Sequence, residues 1–249
     1  MPRIIDISPL ISPRLALWPG DAPFHATPIY SHEHGHAVDL ARVETSLHLG
    51  AHVDAPRHVI PGGAGIESVD LNAFIGPCEV IEVQLPAGFR ILPEHLVQPI
   101  RAPRVLFRTR TSQIETFRKD FSALSLELIA HLKAQGCVLV GLDTPSADCF
   151  ASKDFPCHRA LLESGMSLLE CLVLDEAPAG LYDLCALPLK IEGGDGSPVR
   201  AVLLAEEPSP PSTYPWAGGA RSGLHRAKTR CGRGAGPVVP GPAPPLPAP

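Results

Sequence analysis

Between Ser46 and Ala55 every second residue is apolar, and this alternation constrains the chain more than any other stretch of it. Leu47, Leu49, Ala51, Val53 and Ala55 fall on one side, and Ser46, His48, Gly50, His52 and Asp54 on the other. Period two belongs to a strand, so the segment predicts an extended strand with an apolar back and a polar front. The front presents two imidazoles and a carboxylate in one direction, with Gly50 leaving space between the histidines. Neutral imidazole and carboxylate suit zinc, and also manganese or iron. The same pattern equally fits satisfied polar residues on a solvated sheet face, and spacing alone does not choose. Seven of the eleven histidines precede residue 60, a crowding that a purely structural fold does not need. His32, His34 and His36 repeat the period, but Glu33 and Gly35 between them provide no apolar back, which predicts a polar loop or strand end.

The rest of the body reads as mixed α/β. Val80–Val83 and Val105–Phe107 predict strands. Leu128, Ile129 and Leu132 stand at helical spacing within Ser125–Gln135, and Gly136 supplies the stop. The continuous apolar run Cys137–Leu142 predicts a buried strand. It ends in Asp143-Thr144-Pro145-Ser146, a loop where α/β folds often place function. A short helix is expected over Arg159–Ser164, and further strands over Leu184–Leu189 and Val199–Leu204. Glu170 lies in Leu168–Leu174, an otherwise apolar run broken only by Cys171. A carboxylate there is costly to bury without a partner, and a cation is the natural one.

Charge and composition exclude several functions. The five bases beyond residue 207, with no acid among them, leave residues 1–207 at −10, which argues against nucleic acid as the partner. No apolar run approaches the ~18 residues of a membrane span, and no secretory signal opens the chain; the expected location is the cytoplasm. Seven cysteines, an odd number without CxxC, read as reduced thiols, mostly buried. The expected domain covers 1–205. Residues 206–249 form a Pro/Gly-rich disordered tail in this reading, with 11 of the 29 prolines beyond residue 207. Its GC-rich-codon residues also fit a shifted reading frame.

The segment His48-Leu49-Gly50-Ala51-His52-Val53-Asp54-Ala55-Pro56-Arg57-His58 closely resembles the HxGxHxDxPxH signature of the cyclase-type metal hydrolases, and among them the bacterial kynurenine formamidases (arylformamidases). The resemblance runs over about residues 3–203. It includes Leu17-Trp18-Pro19-Gly20-Asp21, Val69-Asp70-Leu71, Asp143-Thr144-Pro145-Ser146, His158, Leu169-Glu170, and Gly196-Ser197-Pro198-Val199-Arg200-Ala201. It implies a single swivelling β/β/α domain, assembled as a homodimer, and two Zn²⁺ per subunit, with Mn²⁺ an alternative. His48 and His52 would bind the first metal and His158 the second, with Asp54 and Glu170 bridging. His58 would be the general acid/base, and Trp18 would contact a small-molecule substrate. The implied reaction is hydrolysis of N-formyl-L-kynurenine to L-kynurenine and formate in tryptophan degradation. Two other readings stay open: a related hydrolase opening a cyclic amide such as isatin, and a non-catalytic zinc-binding interaction module. Arg159 stands where many relatives carry a second histidine, which leaves substrate affinity open and the metal set intact.

Overall fold

A computed structural model describes residues 2–112 and 114–205; the expected tail lies outside them. Thirteen strands occur in this span: β1 (Arg3–Asp6), β2 (His25–Tyr30), β3 (Leu40–Glu44), β4 (His52–Asp54), β5 (Ile75–Glu82), β6 (Arg90–Ile91), β7 (Arg104–Arg108), β8 (Ala123–Leu124), β9 (Leu139–Leu142), β10 (Ser167–Glu170), β11 (Gly180–Cys185), β12 (Gly196–Pro198) and β13 (Val202–Ala205). Two α-helices join them, α1 (Leu126–Ala134) and α2 (Pro156–Glu163). Nine strands make one mixed sheet in the order β1-β13-β11-β5-β7-β9-β10-β4-β12. Its centre, β5-β7-β9-β10, is parallel, and the flanking pairs are antiparallel. This is the mixed α/β, β-rich architecture that the sequence leads one to expect.

Strands β7, β9 and β10 are buried on both faces, and their pleat sorts side chains into two cores. Val105 and Phe107 of β7, Val140 and Leu142 of β9, and Leu168 of β10 point to the face covered by Leu128, Ile129 and Leu132 of α1 and Leu161 of α2. Leu106, Leu139 and Leu169 point the other way, toward Ile5, Val53, Phe74, Leu172 and Leu203. Gly141 falls on this second face. A Cβ there would stand 2.4 Å from Leu106 Cδ2 and 2.9 Å from Leu172 Cδ1, so the missing side chain lets the layers close.

Helix α1 begins where a hydroxyl can cap it. Ser125 has extended backbone, and its side chain accepts from the Leu128 N–H. Gly136, at φ +81, ends the segment as expected. Helix α2 starts three residues before the expected Arg159, because Pro156 fits the first turn of a helix, where no N–H is needed. Strand β11 runs over Gly180–Cys185 instead of Leu184–Leu189: Pro188 cannot donate to a ladder, and all of Gly180–Cys185 pairs with Ile75–Val80 of β5. The last expected strand, Val199–Leu204, begins later, at Val202, and a further strand precedes it. Gly196–Pro198 pairs with β4 and Val202–Ala205 with β1 and β11.

The largest correction falls on the 46–54 alternation. Only His52–Asp54 is a strand; residues 47–51 make a turn. Gly50 takes φ +61 there, a left-handed conformation open to glycine at little cost. Because β4 lies between β10 and β12, His52, Val53 and Asp54 are all buried. The polar residues still converge, but by a turn feeding a short inner strand, and not along one strand face.

Candidate active site

The site is assembled around β4. Antiparallel pairing places Glu170 of β10 opposite His52, and Leu168 opposite Asp54. Glu170 is the last residue of its strand, at the carboxyl end of the parallel centre. His158 comes from α2. His48 comes from the turn before β4, and His58 from the 3₁₀ turn Pro56–His58 just after it. His52, Asp54, His158 and Glu170 are each no more than 3% exposed.

Each carboxylate divides its two oxygens between two groups of imidazoles. Asp54 Oδ1 lies 3.0 Å from His48 Nδ1 and 3.4 Å from His52 Nε2, and its Oδ2 lies 3.4 Å from His158 Nε2. Glu170 Oε2 lies 3.6 Å from His52 Nε2, and its Oε1 lies 3.2 Å from His158 Nε2. Thus His48 and His52 stand on one side of the pair and His158 on the other. The backbone N–H of Ala147 also donates to Glu170 Oε1, at 2.6 Å. His52, Asp54 and Glu170 form one metal-competent group, and His48, Asp54 and His58 another, both containing Asp54.

Two observations test whether these residues fit a metal. His48 Nε2 and Asp54 Oδ2 are buried without a hydrogen-bond partner, an arrangement that costs free energy unless another group satisfies them. The donor set, imidazole nitrogen and carboxylate oxygen, is that of zinc or manganese sites. The residues fit.

Electrostatics separate His58 from the rest. Burial works against charge on His48, His52 and His158, yet the facing carboxylates overcome it. They raise His48, hold His52 well above the ordinary imidazole value, and bring His158 to about 10. Burial also opposes charge on Asp54, and hydrogen bonds from His48 and His52 bring its carboxyl well below the usual range. The cluster therefore demands positive charge, which protons supply when no metal does. His58 moves the other way: burial lowers it, and neighbouring His48 and His158 oppose its charge while Asp54 favours it. Groups pushed apart in this way suit different tasks.

The cleft beside the cluster spans about 790 Å³, open solvent at its mouth included. Trp18, Asp21, His48, His58, Phe155 and His158 are among its lining residues. Trp18 is set in an aromatic group, with ring centroids 5.4 Å from Phe117, 6.2 Å from Phe121 and 5.1 Å from Phe150. All seven sequence-predicted residues, Trp18, His48, His52, Asp54, His58, His158 and Glu170, thus meet at one place. His32 and His34 form an exposed 3₁₀ turn with no buried residue; they and His36 belong to no metal-competent group among the described residues. Arg159 turns its Nε to the Asp154 carbonyl at 3.0 Å and is not among the residues lining the cleft.

Sequence reading missed two carboxylates. Asp148 is fully buried and accepts from the Cys157 and His158 N–H groups and from His158 Nδ1, the last at 2.7 Å. It does what the helix's own cap residue, Phe155, cannot, since that side chain makes no capping bond. The signal was faint: one acid two residues beyond the flagged Asp143–Ser146 loop. Asp195, in the turn before β12, lies near His48 and His58, and nothing in Gly193-Gly194-Asp195-Gly196 announces it.

Residues 5–149 match the family model described as "Putative cyclase". The chain belongs to the cyclase family. Its relatives include a kynurenine formamidase of Polaromonas naphthalenivorans, 42% identical over 203 residues, which span 81% of this chain and 90% of that one. Among solved structures, isatin hydrolase A of Labrenzia aggregata aligns with a TM-score of 0.72 at 28% identity, covering 82% of this chain and 94% of that one. A "predicted metal-dependent hydrolase" of Bacillus stearothermophilus aligns with a TM-score of 0.69 at 27% identity, covering 82% and 98%. No helix among the described residues is long and apolar enough to cross a membrane.

Proposed function

We propose that this cyclase-family protein hydrolyses N-formyl-L-kynurenine to L-kynurenine and formate, using two Zn²⁺ ions per subunit. The observation that carries the reading is the divided pair of carboxylates, Asp54 and Glu170, each with one oxygen toward His48 and His52 or His52 alone, and one toward His158. His48 and His52 would hold the first ion and His158 the second, with both carboxylates bridging. The 42% identical relative named kynurenine formamidase supports the substrate.

Bound there, zinc supplies Lewis acidity, polarising a carbonyl and making water a stronger acid. The chain's own residues do the rest. Asp148 holds His158 through Nδ1 and leaves Nε2 facing the carboxylates. Trp18 offers an aromatic wall to the aryl ketone ring. An arylamine leaves poorly as an anion, so a proton must reach its nitrogen as the C–N bond breaks. His58 lines the cleft and is poised by burial to release a proton readily, which suits it to general acid/base work.

The likeness to isatin hydrolase A supports one other reading, opening of a cyclic aryl amide. Assaying one zinc-loaded preparation on formylkynurenine and on isatin, with metal analysis, tests both. Turnover of formylkynurenine alone supports the proposal, turnover of isatin alone replaces it, and bound metal without hydrolysis of either leaves a binding module.

A homodimer formed by a domain of residues 1–205 completes the reading. Among the described residues the hairpin β2–β3 pairs with no other strand and leaves Ile29, Leu40 and Val43 exposed. Two-stranded hairpins are marginal alone in water, and a second copy would cover this one. Sedimentation of the native protein reads the state directly; a monomer overturns it. The described cysteines are all free thiols, in keeping with a reducing cytoplasm.

A further inference from the structure

A carboxylate beside His48 and His58 has no place in the ligand set. Asp195 Oδ2 lies 3.8 Å from His58 Nδ1 and 3.4 Å from His48 Nε2, and its side chain is half exposed. It sits there because its turn is bound to the segment that carries His58. The Ala55 N–H donates to the Asp195 carbonyl, and the Ile66 N–H to the Gly194 carbonyl. Arg57, the neighbour of His58, donates to the Gly193 carbonyl at 2.8 Å, and the Gly193 N–H donates to Glu67. Strand pairing sets Gly196 opposite Asp54, and a Cβ on Gly196 would stand 2.9 Å from the His48 ring. Asp195 and His58 are therefore held on one scaffold, whatever the rest of the sheet does.

His58 needs such a neighbour. Its side chain is 28% exposed, and its ring lies 4.1 Å from that of His48 at a 40° tilt, so packing covers only part of it. An imidazole that must deliver a proton to one atom has to be fixed in both tautomer and orientation, and a carboxylate on one ring nitrogen does both. The separation of 3.8 Å exceeds a hydrogen bond, as catalytic contacts often do before substrate tightens them.

We infer that Asp195 is a positioning residue for His58, engaging Nδ1 so that Nε2 is presented to the leaving nitrogen. The inference rests on the acid/base reading of His58 given above. In the step it serves, Nε2 takes a proton from the hydrolytic water as the hydroxyl adds to the formyl carbon, then passes that proton to the arylamine nitrogen, which keeps the C–N bond pair; the neutral imidazole is thereby restored. Asp195 exchanges no proton.

The test uses substrates that differ in their need for that proton. Formylkynurenine expels an arylamine, whereas 4-nitrophenyl formate expels a stable phenolate. On the zinc-loaded full chain, Asp195→Asn is expected to lower kcat for formylkynurenine by about 10- to 100-fold, the scale of a misplaced catalytic group. The loss on the ester should be at least about tenfold smaller, with KM and metal content retained. His58→Ala should show the same bias toward the amide. In the double variant, Asp195→Asn should add little to His58→Ala, because a residue acting through another has nothing left to position. Absence of the amide bias in His58→Ala overturns the acid/base reading and this inference with it. The bias in His58→Ala but not in Asp195→Asn, or full additivity in the double variant, overturns the inference alone. Loss of metal in Asp195→Asn also overturns it, and makes Asp195 a ligand through its approach to His48.

Discussion

His58 and the residues that surround it share a small space but not a task. His48, His52 and His158 each face a carboxylate within 3.4 Å, while burial and neighbouring imidazoles disfavour charge on His58. Removing His58 therefore takes nothing from the divided carboxylates. His58→Ala is expected to keep its metal and lose about 10²–10⁴-fold in rate; metal analysis beside kcat reads both, and loss of metal would make His58 a ligand. The carboxylates should behave oppositely. Asp54→Ala or Glu170→Ala removes oxygens that face both sides and is expected to release both ions. His158→Ala removes a donor from one side and should release the second ion first. Metal-to-protein ratios across a chelator titration distinguish the two patterns. The HxxxHxD spacing and a lone Glu in an apolar run mark His48, His52, Asp54 and Glu170 in the sequence itself, whereas His58 and His158 come only with the family resemblance. Asp148 was not legible, since an acid ten residues before the histidine it serves carries no local pattern.

At the scale of elements, apolar runs were read well and pairing was not. Cys137–Leu142 and the Leu128, Ile129, Leu132 spacing report burial, which sequence states directly. The 46–54 alternation reports polarity, and a turn at Gly50 delivers polar residues to one place as well as a strand does. The boundaries of β11 and β13 and the extra strand β12 depend on partners distant in the chain, so nothing local could fix them. Gly141 shows how tightly the elements meet: Gly141→Ala would crowd Leu106 and Leu172 and is expected to cost about 1–3 kcal/mol. A urea denaturation curve checks this, and a cost under half a kcal/mol would mean that the two leucines turn aside freely.

For the whole molecule, the described residues already contain both cores, and every predicted site residue lies before residue 171. Beyond residue 207 no apolar period remains, and a segment without one has little to bury. Ending the chain after Glu207 is expected to leave hydrolysis, metal content and melting temperature nearly unchanged. A substantial fall in any of them would show that these residues dock on the body.

The pairing of β4 with β10 also has a consequence in time. It joins His48–His58 to His158 and Glu170, which lie a hundred residues and more further along the chain. Before that long loop closes, neither half holds the whole set of donors, so an ion that needs all of them would bind only after the sheet has formed. A metal held there would strengthen the native state and spare the transition state. Refolding in stopped flow should run at the same speed with zinc as with chelator, and unfolding should become slower in zinc. A faster refolding limb would mean that the ion gathers the two halves early and acts as a template for the sheet.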